Sequence, residues 1–498
     1  MSSGFGIADW GVLVAYFLVI GVSSVIFSRI KIATSRDYFV ASNSVPMFAA
    51  AISILATTQS AATFLGGPEY SYLHDLTFIG FFISAFLAVI FVAWVLIPRF
   101  YALGAVTVYE LLENRYGASA KRAAGVMFLV GRLFASGARL YIGALAISMI
   151  LFLDIEVFHV AISVVVLMFG ALLYVYFGGV KSVIFSDIIQ AFTYIGAAIA
   201  VIWYLYISLD SDMATIMSTL YGSGKLKLIS FEGDFSIWAL LSGWFLLNVA
   251  AYGLDQDMTQ RALSCKDARS AQNSLLFSVL LTLPVAFLFL IIGLLLYLFY
   301  AKIGIASKEF DGESVTIFMY YILHEMPEGL RGLVTVGAIA AALSSSNSVL
   351  GAMASVAIED IYKPWKLARG SIGEAHFIRA GRVSVVIFAI LLSLMAMLSY
   401  YWQHHSGTSL LGFALGVMAF AYAGLLGVYG AAIFTARGSA GSVPFALIMG
   451  FLTVLLLQPY ILGQNIGFSW QIVIGTMVSF GVMMLSENHR DIQKDIYE

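Results

Sequence analysis

Charge is scarce in this chain. Of its 498 residues only 11% are Asp, Glu, Lys or Arg, while 61% are hydrophobic; an ordinary soluble protein carries about 25% charged residues. Too few polar side chains exist to cover a surface in water, so a soluble globular fold is excluded and most of the surface must face lipid. Cysteine is all but missing. Cys265 stands alone beside Lys266 in a polar stretch, so an intrachain disulfide is excluded and no cysteine-based metal site is expected. A net charge of −2 offers no footprint for nucleic acid or another polyanion. Metal-ligand spacing, a nucleophile elbow, a phosphate loop and an acid/base pair are all missing, which argues against an enzyme. The N-terminal MSSGFGIADW has no basic residue, and no small-residue cleavage site is evident near the apolar run after it. That run reads as a retained helix and not as a signal peptide.

What the chain has is apolar length. A spanning helix needs about 20 mostly apolar residues, and backbone in lipid must pair internally, so such runs are helices. Thirteen occur, near 8–29, 46–73, 77–102, 121–152, 157–177, 183–207, 235–256, 271–302, 331–356, 376–399, 408–434, 441–461 and 467–485. Lysine and arginine collect in cytoplasmic loops. With the N-terminus outside, nineteen of them, Arg261 included, fall on inner segments and five on outer ones. The topology expected is N-terminus out and C-terminus in, with short surface helices in the outer stretches 208–234 and 303–330.

Two spans are unusually polar. In ISILATTQSAATFLGGPEY, Thr57, Thr58, Gln59, Ser60 and Thr63 interrupt an apolar helix, and Gly66, Gly67 and Pro68 follow. This suits a helix that loses regularity mid-membrane, which is tolerated only where backbone lines a cavity or is buried in protein. In GAIAAALSSSNSVLGAMASVAIEDIY, the run Ser344, Ser345, Ser346, Asn347 and Ser348 lies amid Ala, Ile and Leu. Ser344 and Ser348 share a helix face with Asn347 beside them, and Ser345 lies next to Ser348. Isolated hydroxyls in such helices bond back to the backbone or to a neighbour, so a polar packing seam is the plain alternative. At this density, neutral hydroxyls and carbonyls suit a hard cation, and the lack of formal charge favours a monovalent one. Ionisable residues within spans are functional candidates: Asp187 early in the sixth run, and Arg132 and Arg139 seven apart on the fourth. Asp255 and Asp257, at the inner end of the seventh run, read as interfacial.

These residues resemble the sodium:solute symporter family, which includes bacterial galactose and sialic acid transporters and the proline carrier. The likeness runs over nearly the whole length: the helix count, DYF after the first helix, GGVKSVIFSDIIQ, the DQDMTQRALSCKDARSAQ loop and the serine helix ending in EDIY. The resemblance implies an all-α polytopic membrane protein with a leucine-transporter-like fold of 13 transmembrane helices. It divides the chain into an additional N-terminal helix and loop (1–45), a ten-helix inverted 5+5 repeat core (46–434), and two C-terminal helices with a cytoplasmic tail (435–498). It implies Na⁺ held by the carbonyls of Ala56, Gln59 and Ala341 with the hydroxyls of Ser344 and Ser345. A second sodium site is implied at Asp187, Ser344, Ser345 and Ser348, with Asn347 where a serine is expected. The implied solute site comprises Thr58, Ser60, Thr63, Phe78, Phe82, Arg132, Arg139 and Asn248. Phe82 replaces an expected amide, and either arginine could meet a carboxylate. The function implied is sodium-coupled symport of a small organic solute, an anion such as sialic acid or another carboxylate, across the plasma membrane by alternating access. Uptake of a neutral sugar or polyol is the alternative; a passive channel and a membrane sensor are remoter ones. Sodium ion, solute and lipid bilayer are the partners expected, with no nucleic acid and no obligate protein partner.

Overall fold

Helix is the only way a long segment can cross lipid with its backbone paired, and the apolar runs of this chain are helices in the computed structural model. It describes residues 5–28, 32–303, 309–310, 313–406, 410–463 and 466–486. Arg29, Lys31, Lys308, Arg490 and Lys494 of the charge tally, with nearly all of the C-terminal tail, lie outside the described residues. In chain order come α1 (Ile7–Ser28), the bent pair α2 (Met47–Thr58) and α3 (Ala61–Leu73), α4 (Ile79–Ala102), α5 (Ala118–Phe152), α6 (Val157–Leu209) and α7 (Ile237–Leu254). Then follow α8 (Gln256–Leu263), α9 (Ala268–Ile303), α10 (Leu330–Leu367), α11 (Glu374–Ser406), α12 (Leu410–Phe434), α13 (Ser442–Leu456) and α14 (Phe468–Met484). Among the described residues nine helices are long and apolar enough to cross a bilayer, ten if the bent pair is one span. The stretches 208–234 and 303–330 carry the short helices Met213–Gly222 and Ile317–His324.

α6 has 53 residues. At about 1.5 Å per residue it would reach roughly 80 Å, far beyond a hydrocarbon core of about 30 Å. It breaks at Gly179, whose φ of 58° and ψ of −159° leave the helical region. A Cβ there would lie 2.5 Å from the Tyr38 carbonyl oxygen, so only glycine fits both the dihedral and the space. The sequence pattern placed a gap at 178–182; the structure narrows it to this one residue.

α10 lies at the centre: 89% of its apolar window is buried, against 28% for α1. It packs chiefly on α6 and also on α5, α11 and the bent pair. Small residues permit the approach. A Cβ on Gly337 would sit 2.9 Å from the Ala197 Cβ, and one on Gly143 of α5 would sit 3.0 Å from Ala342 and 3.5 Å from Ala61. The peripheral α1 is fastened by one buried carboxylate. Asp9 Oδ1 accepts from the Gly329 and Gly332 amides at 2.8 and 2.6 Å, at the N-terminal end of α10, where a negative charge also meets the positive end of the helix dipole.

Gly66, Gly67 and Pro68 do not mark the break in the bent pair. They lie inside regular α3. Their role is close packing on α9: a Cβ on Gly293 would fall 2.1 Å from both the Pro68 carbonyl oxygen and Ser71 Oγ, which itself donates to the Leu290 carbonyl at 2.8 Å. Gly293→Ala is therefore expected to destabilise the fold by about 1–3 kcal/mol, the usual cost of overpacking. It should lower the thermal unfolding midpoint in detergent, while Gly196→Ala, with nothing within 4 Å of the added methyl, should not. Equal midpoints for the two variants would contradict this packing role.

Candidate functional site

The break between α2 and α3 begins with hydroxyls that hold helix. Thr57 Oγ1 donates to the Ser53 carbonyl at 2.8 Å and Thr58 Oγ1 to that of Leu55 at 2.7 Å, so α2 stays regular through Thr58. Gln59 (φ −80°, ψ 134°) and Ser60 (φ −137°, ψ 171°) are extended, and the two helices meet at 63°. The Ser60 amide would pair with the Ala56 carbonyl in an unbroken helix; it donates instead to Thr63 Oγ1 at 2.8 Å. That releases the Ala56 carbonyl inside the protein. The Gln59 side chain is 2% exposed, and among the described residues neither its amide oxygen nor its nitrogen has a hydrogen-bond partner. Unpaired buried polar atoms are costly, and this set of oxygens suits a hard cation.

α10 closes on this break. Thr57 Oγ1 lies 2.9 Å from Ser348 Oγ, and Ala61 and Ala342 flank the same glycine of α5. Ser344 Oγ donates to Asp187 Oδ1 at 2.8 Å, which leaves the hydroxyl lone pairs available. Ser345 Oγ donates to the Ala342 carbonyl at 3.0 Å and to that of Ala341 at 3.3 Å. Of the residues expected around Asp187, the structure gathers Ser344 and Ser348, and adds Ser53, whose hydroxyl reaches Asp187 Oδ2 at 2.5 Å. Two others stand apart. Ser345 lines a separate small cavity with Ser136 and Arg139, and the amide of Asn347 is buried with no partner among the described residues.

One cavity beside the break is lined by all eight positions expected at the solute site: Thr58, Ser60, Thr63, Phe78, Phe82, Arg132, Arg139 and Asn248. Tyr252, Met258, Met418 and Tyr422 also line it and were missed, because hydropathy hides a cavity-lining Met or Tyr among core residues. Phe82 is 4% exposed, with its ring edge-on to Phe78 and Phe81 at centroid distances of 5.5 and 5.1 Å. One wall is therefore aromatic where an amide was expected.

The two arginines differ. Arg132, 2% exposed, is held between Asp255 and Asp257 at 2.8 and 3.0 Å, and the Tyr422 hydroxyl donates to Asp255. Arg139 makes no ion pair among the described residues; its Nη2 meets only the Met418 sulfur, at 2.8 Å. It borders both the cavity beside the break and the cavity that Ser345 lines.

Asp255 and Asp257 are not interfacial, as the sequence suggested: both are buried. Nor is the DQDMTQR stretch a loop. α7 widens over Ala250–Leu254, Asp255 turns extended (φ −95°, ψ 119°), and its side chain accepts from the Asp257 amide to start α8, every residue of which is buried. Arg261, counted among the inner-loop cations, is 1% exposed, and Cys265 is fully buried. A short polar segment reads as a loop when the partners that bury its polar groups lie elsewhere in the chain. Gln256 with the Val106 carbonyl and Gln260 with that of Phe39 are two examples, at 2.9 and 2.6 Å.

The family model of the "Sodium:solute symporter family" matches residues 38–450. The sodium/sialic acid symporter SiaT of Proteus mirabilis is 27% identical over 95% of this chain and 93% of its own. The sodium/sialic acid symporter NanT of Aliivibrio fischeri is 28% identical over 96% and 92%. Among solved structures, a Na⁺-coupled sialic acid symporter in a substrate-bound outward-open state superposes with a TM-score of 0.83 at 25% identity, covering 97% of this chain and 98% of that one.

Because Arg132 pairs with two buried carboxylates and Arg139 with none among the described residues, Arg132→Gln should destabilise the protein by about 3–5 kcal/mol, the range for breaking a buried ion pair. Arg139→Gln should leave thermal stability within about 1 kcal/mol of the parent. Matching losses of unfolding midpoint in the two variants would show that the ion pairing described here is wrong.

Proposed function

The chain belongs to the sodium:solute symporter family, and we propose that the solute it couples to sodium is a small carboxylate of the sialic acid class. Arg139 carries this reading. A cation at the cavity wall with no carboxylate partner of its own among the described residues is suited to a solute anion, because a charge-assisted arginine–carboxylate contact is strong and directional. The hydroxyls of Thr58, Ser60 and Thr63 and the Asn248 amide line the same cavity and supply neutral hydrogen-bonding groups for a polyhydroxylated body. The sodium/sialic acid symporters it is similar to point the same way.

The sodium ion is proposed to lie between the Ala56 and Gln59 carbonyls on one side and Ala341, Ser344 and Ser345 on the other. The freed Ala56 carbonyl, and the contact of Thr57 with Ser348, support that placement. Sodium there would bridge the bent pair to α10 and so fix Thr58, Ser60 and Thr63 in the solute cavity. Arg139, bordering both cavities, opposes a cation beside Ser345 until a solute carboxylate neutralises it, so each ligand would favour the other. Parting of the bent pair from α10 would release both together.

The full topology proposed is thirteen spans, with α6 counted as two at Gly179 and α13 and α14 included, N-terminus outside and C-terminus inside, in the plasma membrane. Residues 46–434 would form the inverted-repeat core. The helices that open its two halves, α2–α3 and α7–α8, are both broken at extended residues, which supports a repeat relation between them. Residues 1–45 and 435–498 would flank that core.

Uptake into proteoliposomes tests the reading. Sialic acid should accumulate under an inward sodium gradient. Arg139→Gln should raise KM about 30–150-fold, from the loss of about 2–3 kcal/mol in a charged hydrogen bond. Ser345→Ala should weaken sodium affinity about tenfold, or about 1.4 kcal/mol. Accumulation of neutral sugars alone, unaffected by Arg139→Gln, would replace the carboxylate reading with the sugar one.

A further inference from the structure

Asp187 was expected to help bind a second sodium ion, but in the structure its carboxylate already has a cation. Arg261 is 1% exposed and comes from α8, a helix whose polar face is wholly enclosed. Its Nε donates to Ser53 Oγ at 2.8 Å. Nη1 donates to the Asp257 carbonyl at 2.5 Å and reaches its Oδ1 at 3.3 Å. Nη2 reaches Asp187 Oδ2 at 3.3 Å and donates to Ser348 Oγ. The five N–H groups of a guanidinium thus find five oxygens, drawn from α2, α6, α8 and α10. Both oxygens of Asp187 are engaged as well: Oδ1 takes Ser344, and Oδ2 takes Ser53 and Arg261.

We infer that Arg261 is a tethered counter-ion that occupies the cation position at Asp187 and keeps sodium out of it, so that the protein binds one sodium ion at a time. The charges around it favour this. Asp255 and Asp257 share Arg132, and Asp257 and Asp187 share Arg261, giving three carboxylates on two guanidiniums. Arg139 is the further cation at the edge of this group. A sodium ion added at Asp187 would bring the total to four cations for three carboxylates, within reach of an enclosed guanidinium that has no other place to go. Swinging Arg261 away would strand it and strip a donor from Ser53, Ser348 and the Asp257 carbonyl at once. The same contacts make Arg261 a clasp: it ties α8 to α2 and α10 without an ion.

The inference rests on the sodium site proposed at the break, and the two fail in different ways. Equilibrium binding of radioactive sodium to the purified full-length protein should give one ion per chain. Arg261→Gln should give two, and Arg261→Lys, which keeps the charge, one. Asp187→Asn should leave the count at one, a result that stands even if Arg261→Gln does not fold. A parent count of two that drops to one in Asp187→Asn would overturn the tethered-ion inference and leave the first site intact. So would a folded Arg261→Gln that still binds a single ion. A parent that binds no sodium would overturn the proposed site at the break, and a single ion lost in Asp187→Asn but not in Ser345→Ala would overturn both that site and the tethered-ion inference.

Discussion

Peptide groups that leave a helix inside a membrane must find partners, and this protein meets that demand at one place above all: the two extended residues between α2 and α3. The Ser60 amide is satisfied locally by Thr63. The Ala56 carbonyl thereby loses its usual helical partner, and the Gln59 side chain has none among the described residues. What seals them is α10, brought within hydrogen-bonding distance through Thr57 and Ser348 and allowed that close by alanines and glycines on three helices. The rest of the architecture serves this contact. α6 bends at Gly179 and carries Asp187 to the serine face of α10, and α5 sets Arg132 and Arg139 in the wall of the cavity that opens beside the break.

A second demand is electrostatic. Three carboxylates and two guanidiniums are enclosed together, and a charge left unpaired there would be far more costly than the pairs are stabilising. The chain Tyr422–Asp255–Arg132–Asp257–Arg261–Asp187–Ser344 satisfies each member in turn. It also runs from α12 through α8 to α6 and α10, so the second broken helix is fastened to the first through Ser53. Movement of α8 would have to break several of these links together, which favours two discrete arrangements over gradual change.

The sequence made the membrane class and the helix runs plain, because long apolar stretches admit no other structure in lipid. It also made the two polar helices plain, since Thr57–Ser60 and Ser344–Ser348 are conspicuous against alanine and leucine. The position of the break was less legible: threonines that bond to their own helix postponed it to Gln59, and the glycines that seemed to announce it serve packing on α9. Least legible was α8. Its Asp, Gln and Arg residues have the composition of a loop, and only their partners on other segments in three dimensions make them core. For the same reason Arg132 and Arg139 looked alike until Asp255 and Asp257 were seen to claim one of them.

The central claim is that a sodium ion joins the break in the bent pair to the serine face of α10. Hydrogen exchange of the protein in detergent, in sodium and in potassium chloride at equal ionic strength, tests it most directly. The account predicts slower exchange in sodium, confined to the amides near residues 56–63 and 341–348. Identical exchange of those two segments in both salts would contradict it.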